Sequence, residues 1–328
     1  MTNLRCSKNF IRVIEAGANW LPACSVDGMK ILIAYDGSTH ADTAIDDLQW
    51  AGLPTDSQVI VLSAVEWPLH APRSWGMVDT PFPREWSERV AAAEQLAKTA
   101  CNRVHSYFRQ WDVQSEVPTG DAATAVLEKA NAWGADLVVV GTHGRSGLAR
   151  AVLGSVSLKL VREAHCSVRV ARRRKHDGLI RLMIADDGSA EAQAAVTAVC
   201  RRSWPAHTEA RVVAVHEILV TTNAERVAID PNLYSQINYD EHLRLKHAAN
   251  EAAEKLRHAG LIVSPVVEEG DPKDVLLEEA RNWNADAIFV GARGLGRVDR
   301  FLLGSVSSAT VAHAPCTVEV VRLRLGCF

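Results

Sequence analysis

The sequence predicts an α/β protein built from two repeated doubly wound domains, each a five-stranded, mostly parallel sheet with helices on both faces. Three observations predict it. Short apolar runs alternate along the chain with stretches of helical period, the pattern of parallel strands joined by helical crossovers. The alternation is copied once. A shift of 150 positions carries Gly141 onto Gly291, Gly120-Asp121 onto Gly270-Asp271, Trp133 onto Trp283 and Ala135-Asp136 onto Ala285-Asp286. The length, 328 residues, suits about two domains of ordinary size.

Each element can be justified in turn. Residues 30–35 form an apolar strand, and residues 39–51 a helix with Ala41, Ala44, Ile45, Leu48 and Trp50 on its apolar face. Val59–Leu62 is a second strand. Residues 66–84 carry Pro68, Pro72, Pro81 and Pro83 and read as a loop. A long helix rich in Ala and Glu follows over 85–110, then a short strand near Val113–Val117. After Gly120, either Asp121 or the small residues behind it start a third helix that runs to Trp133. Leu137–Val140 is the fourth strand, about 154–163 a helix, and Ser167–Val170 the last strand. The second repeat places its strands near 180–186, 211–216, 261–267, 286–291 and 317–322. The domains are therefore 29–172 and 179–324, with a linker at 173–178 and a tail at 325–328.

Residues 1–28 have no counterpart in the second repeat. They hold Arg5, Lys8, Arg12 and Glu15 and no continuous apolar core, so they read as a poorly ordered extension and not a signal peptide. The run Arg172-Arg173-Arg174-Lys175 reads as a solvated linker.

Composition narrows the function. The chain is 48% hydrophobic and 23% charged with a net charge of −3, ordinary for a soluble globular protein. It has no long basic tract interleaved with aromatics, so nucleic acid is not an expected partner. No apolar run approaches the ~20 residues that cross a bilayer. The seven cysteines show no C-x-x-C spacing, which disfavours a cysteine zinc site or a disulfide framework. Cys166 and Cys316 each precede the last strand of a repeat, where a small buried residue is expected and redox sensing is the alternative. Reduced thiols fit a cytoplasmic protein.

The chemistry lies in one glycine pattern that occurs twice. Gly141-Thr142-His143-Gly144 is followed by nine residues and then Gly154-Ser155-Val156-Ser157. Gly291-Ala292-Arg293-Gly294 is followed by nine residues and then Gly304-Ser305-Val306-Ser307. Each copy lies behind an apolar run ending in Val140 or Val290 and reads as strand, glycine loop and helix start. Glycines let backbone approach a ligand, and a helix N-terminus offers N–H groups and a positive dipole end to an anion. Two phosphate sites are therefore predicted. There is no G-x-x-x-x-G-K-S/T loop. Asp299 stands where a dinucleotide fingerprint needs Gly or Ala, so a Rossmann site is disfavoured. Asp36 and Asp187 follow the first strands and read either as Asx turns before Gly-Ser or as ligand contacts. The hydroxyls of Ser155, Ser157, Ser305 and Ser307 can reach phosphate or cap the helix. His143 reads as a phosphate neighbour or an exposed loop residue, and Arg293 in its place can pair with phosphate. Asp186 beside Asp187 adds negative charge near the second anion, which weakens that site or asks for a metal there.

Strand-G-x-x-G-x9-G-S, in tandem, strongly resembles the nucleotide-binding motif of the universal stress protein family. Ile31–Ser38 and Leu182–Ser189 look like that family's first strand and its Asp. The resemblance covers nearly everything from Met29 to Arg324. It implies an adenine nucleotide alpha hydrolase-like fold and ATP bound with Mg2+. Ala34, Tyr35 and Asp36, or Ala185, Asp186 and Asp187, would lie beside the adenosine half. The backbone at Ala64 and Val215 would border the adenine. It implies nucleotide-dependent regulation or stress tolerance in place of rapid turnover; a slow ATPase or phosphotransferase and a nucleotide-free dimerising module are the alternatives. In the family the last strand pairs across a domain interface, so Val168–Val170 and Val318–Val321 would pair within this chain, with a homodimer of chains expected beyond that.

Overall fold

The structure is a computed structural model. It describes residues 28–66, 84–144, 153–217, 231–294 and 303–323, with residues 231–234 as backbone only. The extension before residue 28, the proline-rich segment 67–83, the inserts of both glycine loops and the tail lie outside these residues.

The first repeat runs β1 (Lys30–Ala34), α1 (Thr39–Asp47), a 3-10 turn (Leu48–Trp50), β2 (Gln58–Leu62), α2 (Arg84–Tyr107), β3 (Asp112–Glu116), α3 (Ala122–Trp133), β4 (Leu137–Gly141), α4 (Ser155–Glu163) and β5 (Ser167–Ala171). The second runs β6 (Arg181–Ala185), α5 (Ala190–Cys200), β7 (Glu209–His216), α6 (Pro231–His258), β8 (Ile262–Glu269), α7 (Pro272–Asn282), β9 (Ala287–Gly291), α8 (Ser305–His313) and β10 (Thr317–Val321). Local chemistry sets the boundaries. Ser38, Asp121, Ser189 and Asp271 accept from the N–H of Ala41, Thr124, Ala192 and Lys273 and cap α1, α3, α5 and α7. Of the two starts left open for α3, Asp121 is the cap. Gly134, at φ +68°, ends α3 in the left-handed conformation that glycine adopts at little cost. The Ala-Asp pairs have a structural role. Asp136 accepts the N–H of Lys30 at 2.7 Å and Asp286 that of Arg181 at 2.9 Å, tying the start of β4 to β1 and of β9 to β6.

The strands form one sheet of 10 in the order β3-β2-β1-β4-β5-β10-β9-β6-β7-β8. Every neighbouring pair is parallel except β5–β10, which is antiparallel, with Val170 opposite Val318 and Val168 opposite Val320. The last strands therefore pair within the chain, as the resemblance implied.

The two faces differ. On one, α3, α4, α7 and α8 cover a single apolar core that crosses the seam, from Leu32 and Ile60 through Val168, Val170, Val318 and Val320 to Met183 and Val213. On the other, α1 and α2 cover Ile31, Ile33 and Leu137, while α5 and α6 separately cover Leu182, Ile184 and Phe289. Between those two cores, at the seam, lies a buried charge cluster. Arg169 and Glu319 stand opposite each other in register, at 1% and 0% exposure. Arg169 Nε donates to Asp47 Oδ2 at 2.6 Å and Nη1 to Glu319 Oε2 at 3.1 Å. Arg202 adds a second guanidinium on Glu319 and donates to the Ala51 carbonyl at 3.1 Å. Thr317 Oγ1 donates to Asp47 Oδ1 at 2.8 Å. Charges removed from water survive only when paired in this way.

Two expectations are corrected. Trp50 is not on the apolar face of α1: it is 40% exposed at the end of the 3-10 turn, with the Arg174 guanidinium 4.6 Å from its ring centre. The basic run at 172–175 is not simply a solvated linker. The Arg172 guanidinium binds the carbonyls of Val311 and Cys316, and Arg174 Nε donates to Asp286 Oδ1 at 2.9 Å. Cys166 and Cys316 are buried, and burial pushes the Cys316 thiol up to about 12, which favours the packing role over redox sensing there.

Candidate functional site

Strand order 3-2-1-4-5 makes β1 and β4 neighbours at the point where the winding reverses, and β6 and β9 likewise. Crevices at the carboxyl ends of such strands are where open α/β sheets bind ligands. Asp36 and the Gly141–Gly144 turn lie there in the first repeat, Asp187 and Gly291–Gly294 in the second. The glycines are required by close approach. A Cβ on Gly141 would meet the His40 carbonyl oxygen at 2.6 Å, and one on Gly291 the Glu191 carbonyl carbon at 2.8 Å, so the ends of β4 and β9 rest on the first turns of α1 and α5. A Cβ on Gly144 would stand 2.8 Å from Asp36 Oδ2, and one on Gly294 would crowd Asp187 Oδ2. The far end of each loop is pinned: Gly154 N donates to the Thr142 carbonyl and Gly304 N to the Ala292 carbonyl, each at 2.8 Å.

Helices α4 and α8 start differently from the other helices with assigned caps. Their caps are Gly154 and Gly304, and neither has a side-chain hydrogen bond to the first turn. The N–H groups of residues 155–157 and 305–307 are first-turn donors that an α-helix cannot satisfy itself. The hydroxyls behave otherwise. Ser157 Oγ donates to the Gly141 carbonyl at 2.7 Å and Ser307 Oγ to that of Gly291 at 2.6 Å, both buried, so these hydroxyls clamp the strand end. Ser155 and Ser305 are exposed at the helix start. Val156 and Val306, with Ala34, Ala64 and Val215, are half-buried on the common core, whereas Val140, Ala185, Val290 and Ala292 are buried.

The profile of the universal stress protein family matches residues 29–172 and 180–322. The chain belongs to that family. A universal stress protein of Mycobacterium tuberculosis is 29% identical over 304 residues, covering 89% of this chain and 96% of its own. A solved universal stress protein of Archaeoglobus fulgidus has a TM-score of 0.57 at 19% identity, covering 89% of this chain and 98% of its own. A family protein of Arabidopsis thaliana solved with AMP bound aligns over 44% of this chain and 93% of its own, at 21% identity and a TM-score of 0.32. Membership supports a role in the stress response. No helix among the described residues is long and apolar enough to cross a membrane.

Within this universal stress fold the acidic residues divide into two sets. Asp36 Oδ1 accepts the Ser38 N–H at 3.0 Å and Asp187 Oδ1 that of Ser189 at 2.9 Å, which are Asx turns. The other oxygen of each faces Gly144 or Gly294, so the turn and a ligand contact are compatible. Tyr35 and Asp186, one position earlier, turn the opposite way. Tyr35 Oη donates to Asp42 Oδ1 at 2.8 Å, and burial, with Asp42, pushes its phenol up to about 12. Asp186 is 2% exposed and accepts from the Gly188 N–H at 2.8 Å and from Gln193. Burial first, and Asp187 as well, raises its pKa against the pull of the Gly188 N–H. The expectation that Asp186 presents extra negative charge to an anion is therefore corrected: its carboxylate is held against α5.

The loop residues are also redirected. Arg293, expected to pair with phosphate, is held by the buried Glu191, with Nε at 2.7 Å from Oε1. In the first repeat the same two positions hold His40 and His143, with ring centres 5.3 Å apart and His143 Nε2 buried without a hydrogen bond. Thr142 Oγ1 lies 3.2 Å from His40 Nδ1. His40 and Glu191 escaped sequence reasoning, although both sit at a fixed place two residues after the capping serine. Arg244 escaped it too: its guanidinium donates to the Asp187 carbonyl at 3.1 Å from α6, far away in sequence.

Proposed function

We propose that each crevice binds an adenine nucleotide, ATP with Mg2+ in the working form, and that the protein is a nucleotide-dependent regulator of the stress response. One observation carries the reading. The two helices that follow the glycine loops begin on glycine without a side-chain cap, while α1, α3, α5 and α7 each have one. A phosphate acts as the missing cap, drawn by the dipole and by backbone donors. The tight packing around Gly144, Gly154, Gly294 and Gly304 keeps side chains out of its way. Half-buried Ala34 and Ala64, or Val215 in the second repeat, give the base an apolar border. Asp36 and Asp187 are the carboxylates that face the loops and would hold the ion. Mg2+ takes phosphate oxygens and water with one or two carboxylates and would neutralise polyphosphate charge.

The crevices supply binding groups and no Walker lysine, which favours regulation over turnover. A cytoplasmic setting fits the four free cysteines among the described residues. Association of two chains would use surfaces other than β5 and β10, whose edges already pair. The test is calorimetric titration with ATP and Mg2+, with parallel measurement of phosphate release. Binding that disappears in the Gly154→Val, Gly304→Val double variant supports the reading. Unchanged binding in that variant overturns it, and phosphate release at roughly 1–100 per second, abolished by the same changes, would make the protein an enzyme.

A further inference from the structure

The ends of β7 and β8 and the first half of α6 bring three ligand-type side chains together. His216 closes β7, Glu269 stands opposite it in register at the end of β8, and His242 lies on α6. One ligand atom from each, all within 4.8 Å of one another, form the sole such group of three found among the described residues. His216 is 3% exposed, and both of its ring nitrogens are buried without a hydrogen-bond partner. The His216 and His242 rings meet edge to face with centres 5.9 Å apart. His242 is half-buried and Glu269 exposed, so the group opens to solvent on one side.

A buried imidazole with neither nitrogen bonded is costly unless something fills the gap. The first repeat shows what the fold does without that demand. There Val65 replaces His216: its carbonyl accepts the Gly120 N–H as that of His216 accepts the Gly270 N–H. Val65 bridges to Thr119 as His216 pairs with Glu269. Buried positions match between α2 and α6 (Val104 with Leu256, Ala100 with Ala252, Ala97 with Ala249, Ala93 with Leu245), and that alignment sets Val90 against His242. Val65, Trp86, Val90, Ala93 and Val117 form a small apolar cluster in the first repeat. The second repeat has exchanged its central pair for two imidazoles and set a carboxylate at the rim.

We infer that His216, His242 and Glu269 form a site for a divalent transition-metal ion of the zinc class, present only in the second repeat. Two imidazoles and a carboxylate suit zinc and its neighbours, and leave a fourth position for water. Ligands around a tetrahedral ion at ~2.0–2.1 Å lie roughly 3.3–3.5 Å apart, and small rotations of the two less buried side chains, His242 and Glu269, suffice to bring atoms already within 4.8 Å of one another to that spacing. An ion there clamps α6 to the β7–β8 end of the sheet. It sits beside Val215 rather than at the glycine loop, so it is distinct from any ion carried by phosphates and does not depend on the nucleotide reading.

The test is titration of the full-length, chelator-treated protein with Zn2+ in the absence of nucleotide, followed by Co2+ absorption spectroscopy. The expected result is one equivalent bound, with a Co2+ spectrum of nitrogen and oxygen ligation. His216→Val and His242→Val copy the first repeat, so the fold is expected to hold, and each should weaken zinc binding by at least about tenfold. Glu269→Gln, at an exposed site, should weaken it with no change in far-UV circular dichroism. No zinc bound by the parent protein overturns the inference. So does full affinity in His216→Val, or thiolate absorption in the Co2+ form, which would assign the metal to cysteines.

Discussion

The same backbone carries different chemistry in the two repeats. Between β2 and α2 the first repeat packs Val65 and Val90; between β7 and α6 the second packs His216 and His242. Under the glycine loops, His40 and His143 in the first become Glu191 and Arg293, an ion pair, in the second. Behind the first strands, a Tyr35–Asp42 hydrogen bond becomes Asp186 on Gln193. At the seam Arg169 faces Glu319. The shared positions are those that shape backbone, namely glycines, helix caps and the Asp that ties β4 to β1. The positions that diverged are side chains packed inside that frame, apolar in one repeat and polar in the other between β2 or β7 and the long helix, and polar in both under the glycine loops. The two repeats keep one scaffold and fill it with different side chains.

The seam is where asymmetry should matter most. Burial alone would raise the Glu319 carboxyl, but Arg202 and Arg169 outweigh it and hold it below the usual range. Arg169→Met leaves Asp47 and Glu319 short of a partner and should lower unfolding free energy by about 3–5 kcal/mol, read by urea denaturation of the full chain. A depressed folded-state pKa contributes stability that is present above the unfolded value near 4.5 and lost as pH falls below it. The stability difference between parent and variant should therefore shrink below that pH. A loss under 1 kcal/mol would show that the two apolar cores hold the seam without the charges.

Next in size are the loop glycines. Gly144→Val sets a branched side chain against Asp36, and Gly154→Val against the Thr142 carbonyl. Each should weaken nucleotide binding in the first repeat by about tenfold or more, equivalent to ~1.4 kcal/mol. Gly294→Val and Gly304→Val should do the same in the second. Calorimetry on the single-repeat variants then ranks the two sites. The first repeat is expected to bind more tightly, because Arg293 is engaged by Glu191. Tighter binding in Gly154→Val than in Gly304→Val would reverse that order.

A finer measurement follows. Glu191→Gln should release Arg293 toward the crevice and tighten the second site by less than about tenfold, most clearly at low salt. No change would mean that Arg293 cannot reach the ligand. The smallest effect belongs to Tyr35→Phe, which removes one hydrogen bond to Asp42 and should cost about 1 kcal/mol. A phenol raised from 10.0 to about 12 contributes stability that is complete below pH 10 and lost as pH rises through 12. Ultraviolet titration of the folded protein should show a tyrosine ionising that high in the parent and lose that transition in the variant.

Much of the fold was legible because its signals are local. Apolar runs, capping Asp and Ser residues and glycine turns sit where the chain itself decides, and the strands fall within a few residues of their expected places. Long-range contacts were not legible. His216, His242 and Glu269 are 26 and 27 residues apart, a spacing that matches no metal motif, and only the packing of α6 on β7 unites them. Cysteine spacing, the usual guide to zinc, is silent about imidazoles on separate elements. Asp186 read as crevice charge because alternation along β6 does not say what waits on the far side, here Gln193 of α5. Arg172 read as linker because its acceptors, the carbonyls of Val311 and Cys316, lie in the other repeat. The glycine loops gave away the crevice, but not that Ser157 and Ser307 are spent on their own strand ends.

The antiparallel join has a last consequence, for polymerisation. Each repeat has an apolar outer strand, β5 or β10, that could recruit further chains edge to edge, and each occupies the other. What remains at the rims is unattractive to another strand. β3 reads Asp-Val-Gln-Ser-Glu, and β8 carries Pro265, which has no N–H to offer, and ends in Glu268-Glu269. A sheet this long would otherwise template its own growth as concentration climbs. Closing those edges inside one chain removes the pairing sites through which the sheet could grow from chain to chain.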